Sequence, residues 1–139
     1  MPDTLPDLWP EIETENIVTP LAILRFQAGQ LRTKTKGLIE AVVRTVSVSD
    51  DSVFHELVVI APALDRYEYV IGTFKHAQHL VYPVRVQSES TETCFCSTQE
   101  ELLEAVSAIL RSEKVRSVIS SLIAQSRDVN QLTNSSGAK

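Results

Sequence analysis

Between Leu38 and Gln87 the chain carries four runs of alternating and β-branched apolar residues, joined by polar segments too short to hold a crossover. The runs are Leu38–Val48, Val53–Ile60, Arg66–Phe74 and His79–Gln87. Ser49, Asp50, Asp51 and Ser52 bond readily to their own backbone and favour a turn, Pro62 cannot continue an inner ladder, and residues 75–78 form a third polar turn. Parallel strands need connections of about a dozen residues or more, so loops of roughly four or five imply an antiparallel meander.

Side chains alternate along a strand, which lets the two faces of each run be compared. The fourth run is one-sided, with Leu80, Tyr82, Val84 and Val86 opposite His79, Val81, Pro83, Arg85 and Gln87, and Pro83 marks an edge or a bulge. The second run is apolar on both sides: Phe54, Val58 and Ile60 on one, Val53, Leu57 and Val59 on the other. The first run repeats this, with Val42, Val46 and Val48 opposite Ile39, Ala41 and Val43. Both faces of that half of the sheet therefore call for cover.

Helices flank the meander. Thr19-Pro20 is a helix start, and Leu21, Leu24, Ala28, Leu31 and Thr35 define one face of a helix expected over 20–36, ending at Gly37; mid-helix Gly29 suggests close packing. Ser97-Thr98-Gln99-Glu100 forms a capping box ahead of a helix running to about Arg111. Ser112 then caps a third helix to about Ser126, or bends one long helix. The expectation is an α+β domain of order α-β-β-β-β-α-α: a four-stranded antiparallel β-meander with an N-terminal helix and two C-terminal helices. Residues 17–126 form that domain, 1–16 an acidic proline-rich arm, and 127–139 a disordered tail.

The whole chain of 139 residues has a net charge of −5, which argues against nucleic-acid binding. No apolar run is long enough to span a bilayer, so no membrane association is expected and the cytoplasm is the default location. The charge is unevenly spread. The arm holds Asp3, Asp7, Glu11, Glu13 and Glu15 without a cation, whereas the next segment carries Arg25, Arg32, Lys34, Lys36 and Arg44 against Glu40. These are solvated faces, or else the basic helix meets an acidic partner. Trp9 is expected to fold back and anchor the arm on the domain, the alternative being a linear segment offered to a partner.

Chemistry-bearing residues are few. His76 and His79 with Cys94 and Cys96 have the types of a zinc site but not its spacing, and a disulfide between residues two apart is strained, so free thiols and no cofactor are expected. His55 with Tyr67 and Tyr69 could line a small-molecule pocket, and either cysteine could serve as a nucleophile beside a histidine. A small-molecule-binding or enzymatic domain using His55, His76, His79, Cys94 or Cys96 is therefore the alternative to the main expectation.

That main expectation is a non-catalytic module that binds or regulates another protein and pairs with its own copy. If the helices cover one face, the other must be buried elsewhere. The face carrying Ile39 and Val43 with Val53, Leu57 and Val59 is the expected uncovered one, and with Arg25, Arg32 and Trp9 it forms the candidate interface. The competing arrangement puts the first helix on one face and the last two on the other, giving a monomer.

Overall fold

The computed structural model describes residues 5–13, 17–48 and 50–137, without the side chains of 47, 48 and 133–137. Asp3, Glu15, Ser49 and residues 138–139, all named above, lie outside the described residues.

Helix α1 spans Pro20–Lys34. The Thr19 hydroxyl accepts a hydrogen bond from the Ala22 N–H at 3.1 Å, and Pro20 fills the first helical position, where no N–H is needed. The helix stops two residues short of the expected Lys36. Lys36 and Gly37 both take the left-handed conformation (φ 53° and 80°), and the Gly37 N–H returns to the Arg32 carbonyl at 2.9 Å. The close packing expected at Gly29 is absent, since a Cβ there would meet nothing within 4 Å.

Five strands follow in antiparallel sequential order: β1 Glu40–Val48, β2 Ser52–Ala61, β3 Tyr67–Ala77, β4 Leu80–Gln87 and β5 Cys94–Cys96. The fifth corrects the count of four. Cys94-Phe95-Cys96 is too short to announce itself, yet it pairs with Val86, Arg85 and Val84 and extends the sheet beyond β4. One 3-10 turn, Pro62–Leu64, lies in the β2–β3 connection. Two irregularities interrupt the ladder. Ile71 is an extra residue opposite the Leu57/Val58 step, and Pro83 lies in the part of β4 between Leu80 and Arg85, where pairing with β3 lapses. Beside the first bulge a Cβ on Gly72 would sit 3.2 Å from the Gln87 carbonyl oxygen, so β3 and β4 approach there as only glycine allows comfortably.

Helices α2 (Gln99–Leu110) and α3 (Glu113–Gly137) complete the fold. The capping box sits one residue later than expected: Thr98 accepts from the Glu101 N–H, and the Glu101 carboxylate accepts from the Ser97 N–H at 2.6 Å. Ser112 separates two helices, its hydroxyl donating to the Ile109 carbonyl and accepting from the Val115 N–H. The third helix continues to Gly137, across residues expected to form a tail from Arg127. No proline or glycine interrupts 127–136, so each residue can add one more backbone bond without needing burial.

All three helices lie on the same face of the sheet. Helix α1 covers β1 and part of β2, α2 packs on β5 and β3, and α3 packs on β2 and the 3-10 turn. The core is therefore one layer between sheet and helices. Leu57, Val59, Ile71, Phe74, Val84, Val86 and Cys96 rise from the strands to meet Leu24, Ala28, Leu102, Val106, Ile109, Val115 and Leu122. Among the described residues no helix is long and apolar enough to cross a membrane.

Candidate functional site

The residues expected to be uncovered are the ones the helices bury. Ile39, Leu57 and Val59 are fully enclosed, Val53 is buried at the hairpin end of the same face, and Val43 packs against the core. Their proposed role as an interface is thus corrected: they hold the monomer together. The two-sidedness of β1 and β2 was real, but it is the other face that lacks helices.

That open face can be built from the strand register, because cross-strand partners point the same way. One row crosses all five strands: Val46 opposite Phe54, Phe54 opposite Lys75, Lys75 opposite Arg85, and Arg85 opposite Phe95. Val46 is 53% exposed and Phe95 67%. A second row sets Val42 opposite Val58 and Val58 opposite Val70. Val58 is nevertheless fully buried, because Arg44 of β1 reaches Glu68 of β3 at 2.5 Å and this ion pair spans β2 diagonally. Lys75 and Arg85 make no ion pair among the described residues. Beside them a shallow depression of about 310 Å³ is lined by Asp50, Asp51, His76, His79, Pro83 and Phe95, among others.

The histidines and cysteines do not form one site. His55 and His76 do meet, on the helix-covered face near the hairpins, with their Nε2 atoms 3.2 Å apart. The bonding fixes their protons. His76 Nδ1 faces the Ala77 carbonyl at 2.8 Å and must donate, so in the neutral ring its Nε2 is bare. His55 Nε2–H then donates to it, and His55 Nδ1 accepts from the Thr45 hydroxyl at 2.9 Å. His55 is only 3% exposed, and its pKa falls to about 4, first through burial, then through His76 and Arg25.

His79 stands apart on the β3–β4 turn, bonded to Asp51 at 3.0 Å in solvent. Cys94 and Cys96 are free thiols on the edge strand β5, Cys94 exposed and Cys96 buried. Burial, with Cys94 and Glu101 nearby, pushes the Cys96 thiol up to about 12, which opposes a nucleophilic role. Among the described residues no three metal-ligating side chains converge. Tyr67 and Tyr69 line an open cleft of about 640 Å³ against Lys114, Ser117 and Ser121 of α3. Tyr69 is paired with Val59 and His55 with Phe74, so the tyrosines and the histidine sit at different places along β2 and share no pocket.

The arm departs from the domain. Trp9 is 78% exposed, and Leu5, Leu8, Ile12 and Ile17 are exposed with it, which overturns the docked-arm expectation for the single chain. Its root is held where the Tyr82 hydroxyl donates to the Val18 carbonyl at 3.1 Å. Arg25 and Arg32 project from α1 into solvent and make no ion pair among the described residues.

Compared with known proteins, the chain matches no family model, no curated protein and no solved structure. Sequence reasoning missed Val46, Phe54, Lys75, Arg85 and Phe95 as a row. Its signal was the one-sided fourth run: Val84 and Val86 fix the core face of β4, hence Arg85 and everything in register with it on the other.

Proposed function

We propose that the protein is a non-catalytic interaction module that acts through the uncovered face of its sheet, which it shares with a second copy of itself. The observation that carries this reading is the placement of all three helices on one side, which leaves Val42, Val46, Val70 and Phe95 in solvent on the other. Buried residues that could do chemistry argue against the enzymatic alternative. His55 is buried with both ring nitrogens bonded, to Thr45 and to His76, and Cys96 is held in its neutral form.

A second copy suits the face because a two-fold pair sets one surface against itself, and this surface places Val42, Val46, Val70 and Phe95 among charges of both signs, while the same chain carries an acidic apolar arm. Sedimentation velocity and light scattering at micromolar concentration test the proposal. A dimer that Val46→Asp dissociates is the expected result. A stable monomer of 15.4 kDa across that range rejects it.

A further inference from the structure

The open face has two properties that a plain apolar contact leaves unused. Lys75 and Arg85 are directly opposite one another on neighbouring strands, like charges that disfavour one another, and although Asp50 and Asp51 line the depression beside them, neither cation has a carboxylate at ion-pair distance among the described residues. An aromatic ring stands on either side of the pair, Phe54 next to Lys75 and Phe95 next to Arg85. Such a row suits a ligand with carboxylates for the cations and an aromatic or aliphatic body to lie against the rings.

The chain itself makes a segment of that chemistry. Residues 5–13 read Leu-Pro-Asp-Leu-Trp-Pro-Glu-Ile-Glu, and in an extended backbone Asp7, Trp9 and Glu11 point to one side. Pro6 and Pro10 reduce the entropy lost when such a segment is ordered. All of its described apolar side chains are in solvent. A single chain thus exposes both halves of a complementary pair.

We propose that the acidic arm of one protomer docks on the row Phe54, Lys75, Arg85 and Phe95 of its partner, reciprocally. This rests on the reading of the open face as the surface shared by two copies, and it adds what that surface lacks. Five strands about 4.8 Å apart present a face on the order of 500 Å², short of the roughly 800 Å² per partner of a standard stable interface. The arms make up the difference. The reach is sufficient: the arm is rooted on β4 at Tyr82, the strand that carries Arg85 on its other face, and thirteen residues ahead of Val18 extend about 43 Å.

The test is charge reversal in the full chain. Asp7→Lys with Glu11→Lys should weaken dimerisation about tenfold or more by sedimentation equilibrium, and Lys75→Glu with Arg85→Glu should do the same. Combining the four substitutions should restore the association. These side chains are exposed or lie on the open face, and thermal melts that match the wild type below the concentration at which copies associate will show that folding is intact. Trp9 is the one tryptophan, so its emission should shift to the blue as concentration rises through the dimer range.

Four results overturn the inference. If the arm reversal leaves a dimer that Val46→Asp still dissociates, the face is shared but the arm is not its occupant. If the emission shift is independent of concentration, the arm closes on its own chain. If Arg25→Glu with Arg32→Glu abolishes association and the Lys75/Arg85 reversal does not, the arm uses α1. A wild-type chain that stays monomeric instead removes the shared-face reading, and the inference with it.

Discussion

The two faces of the sheet are built from nearly the same residues on β2, yet one is the core of the protein and the other is bare of helices. Val53, Leu57 and Val59 lie under cover, while Phe54, Val58 and Ile60 point the other way. What distinguishes the faces is the company each residue keeps across the strands. The covered face is apolar from Ala41 and Val43 through Ile71 and Phe74 to Val84, Val86 and Cys96, with the hydrogen-bonded Thr45, His55 and His76 at its hairpin end. The open face intersperses Arg44, Glu56, Glu68, Lys75 and Arg85 among its apolar residues. Facing is therefore decided by the registered sheet, in which the helices bury the side with fewest charges to desolvate.

The sharpest way to break this contrast is to place the same charge on each side. Leu57→Asp puts a carboxylate with no partner into a site that is 2% exposed, surrounded by the side chains of α1, β1 and β3. Such a burial costs about 4 kcal/mol or more, a large part of the stability of a small domain. The expected outcome is loss of the cooperative urea transition and of native circular dichroism. A folded Leu57→Asp monomer would mean that the helices do not cover this face.

A second, smaller effect comes from His55, buried and hydrogen-bonded to His76. The pKa of His55 drops from 6.5 unfolded to about 4 folded, so the folded state prefers the neutral ring. Above pH 6.5 both states are neutral and the histidine adds no pH dependence. As pH falls below 6.5 the unfolded chain takes up the proton first, and stability is lost until the folded ring also titrates near pH 4. The shift corresponds to about 3 kcal/mol. Urea midpoints at pH 7.5 and 4.5 should therefore differ more in the wild type than in His55→Gln, by about 2 to 3 kcal/mol after conversion. Equal pH dependence in the two proteins would place His55 in contact with water.

The fold class and the element order were legible because they rest on local signals: turn residues, caps at Thr19 and Ser112, and loops too short for crossovers. The faces were harder to assign for a physical reason. Parity counting works along one strand, but Ile71 adds a residue opposite Leu57 and Val58, and the pairing lapse beside Pro83 breaks the count between β3 and β4. Without those positions the one-sided pattern of β4 cannot be carried across to β2. The His55–His76 contact was hidden for a related reason: the residues are 21 apart, and only the register of β2 against β3 brings them together. Lys75 looked like part of a polar turn and Phe95 like part of a loop, since a three-residue strand has no periodicity to detect.

The smallest expected change in stability sharpens the comparison most. Val46→Asp introduces the same side chain as Leu57→Asp, one strand away, but on the open face at a position 53% exposed. Its carboxylate can reach water and keeps most of its hydration, so the cost is chiefly the poorer strand propensity of aspartate, within about 1 kcal/mol. The monomer should give a urea transition close to that of the wild type, measured below the concentration at which copies associate. Two substitutions of one kind would then differ by several kcal/mol according to face alone. A Val46→Asp chain that unfolds like Leu57→Asp would show that this face is also buried within the monomer, leaving no surface for a partner.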